Sequence, residues 1–413
     1  MISRQKLFTL SDQPLSRSSW KLVAILACFT LFFLISLFYY KLPDWPVRIL
    51  YDLSDLKAYF NASHWVRGHG LLYQDLRSDY PFLANVIFGL VRCIAIPLSS
   101  FINEFTAFCC AWTSLSLLVL IWAVKKIMVV RRSRLFFWII FAPSFLYFVM
   151  FRYDIYPAVC CLFSLLAIKE NKLEKSAIWL GFSIALKVYA IVLIPSLIIF
   201  LYSRTHVRMI IKVLCLAFIP FIISNLVIFA WGGTDALLNP YLYQAGRTYN
   251  RESIYDSFFY LMLLTEVSGN SIAMISEWIS LNHIPTILQI ISCTVIPVII
   301  RPKDWDSLLE IWILLILCFI SFSIFNSPQF LIWIAVPACL LPASRPLKGI
   351  IILAWINYLY FPVGFDLAWN WDIRFVYVFI TAIWTVTILR LYIMLELLLK
   401  LLKKKFTKYK LSE

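Results

Sequence analysis

The sequence predicts an all-α fold, a polytopic bundle of transmembrane helices crossing the bilayer about 10–13 times. Three observations carry that expectation. Of 413 residues, 62% are hydrophobic and only 14% charged, whereas soluble domains hold roughly 45–50% apolar and about 25% charged residues. The apolar residues arrive in runs of about 15–25, the length that a hydrocarbon core roughly 30 Å thick demands. The net charge of +15 would suit nucleic acid if it covered one surface. It sits instead in short basic clusters between the runs, as the positive-inside rule describes. Many of the 16 Trp and 21 Tyr lie near segment ends, where interface anchors belong. A soluble fold is excluded.

Taken in order, Arg4, Lys6, Arg17 and Lys21 precede the apolar run 23–38, and Tyr39, Tyr40 and Lys41 follow it. That is no small-residue cleavage site, so 20–40 reads as an uncleaved first helix. Residues 41–81 carry mixed charge and form the expected first extracytoplasmic loop. Within it Leu53, Leu56 and Phe60 share one helical face, with Gly68 and Gly70 as stop signals, which predicts a short amphipathic helix on the membrane surface. Apolar segments follow at 82–98, 105–124, 135–150, 155–168, 176–202, 213–231, 284–300, 307–325, 329–342, 349–363 and 375–398. Segment 176–202 is interrupted by Lys187 and Pro195 and is expected as two short helices. A second outer loop, 232–256, opens on Gly232-Gly233.

Basic clusters at 125–134, 169–175, 204–212, 301–303 and 345–348, and the tail 400–413, mark the cytoplasmic side. If 41–81 is outside and 125–134 inside, then 82–98 and 105–124 cannot both cross. Either one is re-entrant or the basic cluster is outside. The whole of 1–413 reads as a single transmembrane domain without internal repeats. Its ten Cys lie mostly within apolar runs and lack metal-ligand spacing, so they read as packing residues.

Several polar residues stand where packing alone does not require them. Asp55 falls in the first turn of the amphipathic helix, with Asp52 or Ser54 as its cap. An ionised carboxylate at the aqueous boundary can accept a proton from a hydroxyl; the plainer reading is an Asp that only starts a helix. Tyr59 and Tyr80 belong to the same loop. Phe151-Arg152-Tyr153-Asp154 puts two charges between apolar runs, a costly arrangement unless each is paired. Being two residues apart, Arg152 and Asp154 should point at different partners. Lys187, next to Tyr189, needs an anion or water. It is read either as a snorkelling side chain at a helix break or as a cation for a phosphate-bearing ligand. Arg247 and Arg251, four apart, would share a helical face and suit phosphate oxygens, with Glu252 and Ser253 beside them. Ser327-Pro328-Gln329 starts a helix and offers polar side chains to a sugar.

Together, Asp55, Tyr59, Gly68, Tyr73 and Tyr80-Pro81, then Arg152-Tyr-Asp154, Gly181 with Ala185-Leu-Lys187-Val-Tyr189, Arg247 with Glu252-Ser253, and Ser327-Pro-Gln329 with Trp333 resemble a family. They are similar to integral-membrane glycosyltransferases of the GT-C superfold, and within it to glycosyltransferase family 87, the polyprenyl-phosphate-mannose-dependent mannosyltransferases. The likeness runs in order over about residues 50–335. Two departures stand out: Pro81-Phe82 where relatives often have two prolines, and Phe-Arg-Tyr-Asp where many carry Gly-Gln-x-Asn. The resemblance implies a multi-pass enzyme of the cell (inner) membrane with an outward-facing site. It would move a hexose, most often mannose, with inversion, from a polyprenyl-phosphate donor to a lipid-linked or glycan acceptor. It implies Asp55 as the catalytic base and Asp154 as a second acidic residue. Tyr59, Tyr80, Arg152, Lys187, Tyr189, Arg247, Arg251, Glu252, Ser253, Ser327 and Gln329 become candidate substrate contacts. No resident cofactor and no metal ligands are implied, and a divalent cation assisting the phosphate is left open. The expected partners are the lipid-linked donor, a glycan or glycolipid acceptor and the bilayer, with no nucleic acid.

Two other readings use the same features. A lipid-linked oligosaccharide polymerase or ligase also has many helices, large outer loops and arginines; the spacing from Asp55 to Tyr73 favours the transferase. A lipid or sugar transporter keeps polar sites near the midplane, often in inverted repeats, whereas here the polar motifs collect at the outer ends.

Overall fold

A computed structural model describes residues 53–76, 78–130, 134–247, 253–255, 271, 274, 275, 279, 283–365 and 373–410. The expected helix at 20–40 lies outside them, as do the N-terminal basic residues, Asp52, Arg251 and Glu252. The described residues are helical throughout, apart from turns and one isolated bridge between Leu72 and Leu76.

The first loop folds as anticipated into a short helix, α1 (Ser54–Ala62), continued by a 3-10 turn to Arg67 that ends at Gly68. Its buried face is Leu56, Tyr59 and Ala62, and Asp55 sits in its first turn. Of the two expected caps, Asp52 lies outside the described residues and Ser54 is already helical; Leu53 holds the N-cap position without a side-chain bond. α2 (Phe82–Leu98) and α3 (Glu104–Val130) follow. Both ends of α2 are fastened to the first loop. At its start, the Asn85 amide donates to the Tyr80 carbonyl at 2.9 Å and the Tyr73 hydroxyl at 2.8 Å. At its finish, Glu104 receives Arg67 at 2.7 Å and Arg92 at 2.5 Å. Both ends of α2 are thus tied to the first loop, and at 17 residues it falls short of the roughly 20 that a span needs. Its outer stripe of Leu90, Ile94 and Leu98, continued by Phe101, is exposed.

α4 (Pro143–Phe151) and α5 (Ile155–Lys169) meet at a 108° bend. α6 (Leu173–Leu186) ends at Lys187, whose extended backbone (φ −158°, ψ 118°) leads into a 3-10 turn, Val188–Leu193, and then α7 (Ile194–Tyr202). The expected break in 176–202 is there, although Pro195 opens α7 instead of interrupting it. α8 (Val207–Ala245) is kinked at Gly233 (φ 72°, ψ −164°), a left-handed backbone that a β-carbon disfavours. The helix is thus broken at Gly232-Gly233, where the second outer loop was expected to open, and the chain beyond the break is helical to Ala245. The tie to the first loop is mutual, with Gln74 donating to the Gly232 carbonyl and Gln244 to the Asp79 carbonyl, each at 3.0 Å.

α9 (Ile284–Ile300), α10 (Trp305–Ser321), α11 (Leu331–Ala338), α12 (Arg345–Tyr358) and α13 (Ile373–Lys410) complete the described bundle. α5 from Ile155 to Ile168 and all of α11 are buried, so these helices are apolar all round because they form the centre. α6 can approach α8 closely because Gly181 has no β-carbon; one built there would lie 2.4 Å from the Ala217 carbonyl oxygen. Among the described residues four helices are long and apolar enough to cross a membrane, or five if α4 and α5 form one span. The expected 10–13 crossings are not reached by this measure. Bends and breaks leave segments such as 82–98, 284–300 and 329–342 short of the roughly 20 residues a span needs. The protein is a multi-pass integral membrane protein.

Candidate active site

Two ion pairs lie side by side where the first loop covers the α4–α5 corner. The corner turns at Arg152 and Asp154, and each side chain points to a different partner. Arg152 Nε lies 3.2 Å from Asp55 Oδ2 on α1. Asp154 Oδ1 is 2.6 Å from Lys187 Nζ at the end of α6 and accepts from the Trp333 indole, also at 2.6 Å. Asp154 stands at the N-cap of α5 yet makes no capping bond. An aspartate that forgoes the cap it is suited to is held for another purpose.

The two carboxylates differ in access. The Asp55 side chain is 28% exposed and that of Asp154 is fully buried. Asp154 Oδ2 is buried without a hydrogen-bond partner, so its charge rests on Lys187 and Trp333. Lys187 is caged by aromatic faces, with Nζ 4.7 Å from the Tyr153 and Trp333 ring centroids and 5.0 Å from that of Phe330. Trp333 is in turn sandwiched, stacking on Tyr189 at 3.9 Å and on Phe330 at 4.0 Å.

Asp55 sits beside an aromatic wall. The Tyr59 hydroxyl donates to Asp55 Oδ2 at 3.3 Å, and the Tyr59 ring meets those of Tyr80, Tyr153 and Phe88. Burial pushes the Tyr59 and Tyr80 phenols well above their ordinary pKa, with nearby Asp55 adding to the effect. Both remain neutral donors at any physiological pH. Asp55 is thus oriented by Arg152 and by the Tyr59 hydroxyl.

The structure thus brings together Asp55, Tyr59, Tyr80, Arg152, Asp154, Lys187 and Tyr189. Tyr189 contributes its ring as a floor, while its hydroxyl lies 3.7 Å from Cys161 Sγ. Arg247 lies over the Phe325 ring at 4.1 Å and the Tyr243 ring at 5.1 Å, and its charge is felt at Lys187. Ser327 and Gln329 start the turn that carries Phe330 and Trp333 inward. Ser253 is buried. Sequence reasoning passed over Tyr153 and Phe330, and quoted Trp333 without giving it a role. The signals were available: Tyr153 lies between two charged residues, and Phe330 and Trp333 occupy one face of the turn after Pro328. Among the described residues no group of three or more His, Cys, Asp or Glu side chains is placed to hold a metal ion.

Under the first loop of this all-helical membrane protein lie two carboxylates, one paired with a guanidinium and the other with an ammonium. Residues 93–328 match the profile of Glycosyltransferase family 87, and the chain belongs to that family. A stretch of 207 residues is 25% identical to GPI mannosyltransferase 1 of Kluyveromyces lactis, covering 48% of this chain and 50% of that protein. The chain thus spans about half the length of the curated relative it matches. Family membership makes this protein a glycosyltransferase and favours transfer over transport.

Proposed function

We propose that the protein transfers a hexose, with mannose first among candidates, from a polyprenyl-phosphate donor to a lipid-linked or glycan acceptor at the extracytoplasmic face. One observation carries the assignment of roles: of the two carboxylates, Asp55 alone has a side chain open to an incoming hydroxyl. The mannose preference rests on the family resemblance and on the name of the yeast relative.

In this reading the acceptor hydroxyl gives its proton to the Asp55 carboxylate as its oxygen bonds to the anomeric carbon. The bond from that carbon to the phosphate oxygen breaks on the opposite face, so configuration inverts. Polyprenyl phosphate departs with one more negative charge than it had in the donor. No acid is needed for such a leaving group, which is why one base suffices where a glycosidase uses two carboxyl groups. Arg152 orients Asp55. Lys187 holds Asp154 as a fixed dipole beneath the sugar, and Arg247 is the candidate cation for the phosphate, with Arg251, outside the described residues, as the second.

The test uses purified protein with a panel of polyprenyl-phosphate hexoses, following release of polyprenyl phosphate. Turnover is expected with the mannosyl donor. Asp55→Asn keeps the size and most hydrogen bonding of the side chain but cannot take the proton. A positioned base contributes about 10²–10⁴-fold, so turnover should fall by that order while donor binding survives. Near-normal turnover in Asp55→Asn would remove it as the base.

A further inference from the structure

Arg247 is a half-buried cation that the protein holds without an anion. Among the described residues no carboxylate pairs with it, and no protein acceptor takes a hydrogen bond from its side chain. What holds it is aromatic: the guanidinium carbon lies 4.1 Å from the Phe325 ring centroid and 5.1 Å from that of Tyr243. Arg152 and Lys187 stand differently. They are matched by Asp55 and Asp154 and bring no net charge to an arriving phosphate. A leaving group that gains negative charge needs a cation beyond them. A ring attracts the guanidinium charge through its quadrupole but accepts no strong hydrogen bond. The N–H donors of Arg247 therefore stay available for phosphate oxygens.

Three parts of the chain are joined here. Tyr243 and Arg247 lie at the end of α8, past the break at Gly233. In that arm the Tyr241 hydroxyl donates to Asn225 Oδ1 at 2.7 Å, 16 residues back. An unbroken helix would set these residues about 24 Å apart, so the arm folds back along the first part of α8. Gln244 ties the same arm to the first loop at the Asp79 carbonyl. Phe325 belongs to the turn after α10, where its backbone N–H donates to Ser323 Oγ at 3.3 Å and its carbonyl accepts from that hydroxyl at 2.6 Å. The Phe325 ring meets Phe330 edge-on at 6.5 Å. Phe330 in turn stacks on Trp333, whose indole is bonded to Asp154. The charge of Arg247 accordingly reaches Lys187 and Tyr153.

Resting on the lipid-phosphate reading of the donor, we infer that Phe325 is a positioning residue for the reaction: its ring, with that of Tyr243, holds Arg247 ready to take the donor phosphate. A long arginine side chain loses much rotamer freedom when it grips a ligand, and holding it beforehand lowers that cost. The contact also fixes where the charge stands, since it pins the arm of α8 to the turn that carries Phe330 and Trp333 toward the Lys187–Asp154 pair. Phe325 acts through Arg247 and need not touch the donor.

The experiment measures binding of farnesyl phosphate, farnesol and inorganic phosphate to the full chain in lipid nanodiscs. Wild-type protein should prefer farnesyl phosphate over the other two. Arg247→Gln should weaken farnesyl phosphate by about tenfold or more, as expected for a lost charge-assisted contact, and leave farnesol unchanged. Phe325→Leu keeps apolar bulk without a ring. It should weaken farnesyl phosphate by about 2- to 30-fold, the span of a cation–π contact, again without effect on farnesol. Phe325→Tyr should bind as wild type. In an Arg247→Gln background Phe325→Leu should have no further effect, because the two residues act as one. An additive loss, or no loss from Phe325→Leu alone, would mean that the ring only packs and overturns the proposal. A preference that survives Arg247→Gln overturns it too, while leaving the lipid-phosphate reading in place. Wild-type protein without any preference for farnesyl phosphate over farnesol overturns that reading itself. Inorganic phosphate competing at equal concentration would mark a free-phosphate site and overturn the proposal. Should either variant fail to fold, fluorinating the Phe325 ring decides, since it keeps the shape and weakens the quadrupole. Affinity for farnesyl phosphate must then fall, and unchanged affinity overturns the proposal.

Discussion

Asp55 and Asp154 have the same chemistry and opposite circumstances. Asp154 accepts from an ammonium and an indole within a buried aromatic cage, so its removal strands another charge. Taking away one partner of a buried ion pair costs about 3–5 kcal/mol. Asp154→Asn, which leaves Lys187 buried opposite a neutral amide, should lower thermal stability by that order. Asp154→Asn combined with Lys187→Met should recover much of it, because neither charge is then stranded. Asp55→Asn, at the more exposed carboxylate, should change stability far less. Unfolding curves of the three variants check this, and equal destabilisation by Asp55→Asn and Asp154→Asn would contradict the division of roles.

At the scale of elements, the telling case is α2. Hydropathy alone cannot distinguish a helix that crosses from one that lies along the interface, because both present an apolar face of similar length. Residues 82–98 were therefore legible as helix but not as a route. The contact of Glu104 with Arg67 and Arg92, which no local pattern announces, ties the far end of the helix to the first loop and predicts that both ends lie on the same side. Single cysteines at Ala58 and Ser100, in a background without the native cysteines, should both react with an impermeant reagent from the extracytoplasmic side. Labelling from opposite sides would mean that α2 crosses. The helix break at Lys187 was legible because a lone lysine in an apolar run must find an anion. Which anion was not, since Asp154 lies 33 residues away and only packing of α5 against α6 brings it close. Gly232-Gly233 announced a break in the helix, but not that the chain beyond it is helical to Ala245.

Across the whole molecule, the C-terminal helix is fastened to the start of α10. Lys404 reaches Asp304 at 3.0 Å, and Lys400 pairs with the buried Glu310. Burial alone would push the Asp304 carboxyl up, but hydrogen bonds from the Ser307 backbone N–H and hydroxyl, and from Lys404, outweigh it and hold the pKa below the usual value. A depressed carboxylate contributes stability above its unfolded pKa and loses it as pH falls through its folded one. The tail should therefore stay docked at neutral pH and loosen in acid, below the ordinary aspartate range. Protease accessibility of the tail against pH checks this, and Asp304→Asn should remove that step. The fold class and the order of the motifs were legible in the sequence because bilayer thickness and charge bias act on local stretches. The partnership of Trp333 with Asp154 was not, because it joins residues 179 apart.

That partnership also bears on how the enzyme is made. Asp55, Asp154, Lys187 and Trp333 emerge from the ribosome in that order, and the last closes the cage only after most of the chain has entered the bilayer. Until then Lys187 and Asp154 have Tyr153 beside them but lack Phe330 and Trp333. The buried ion pair is thus completed only by a late-emerging segment, and a chain cut short before Trp333 would carry that pair without its indole donor.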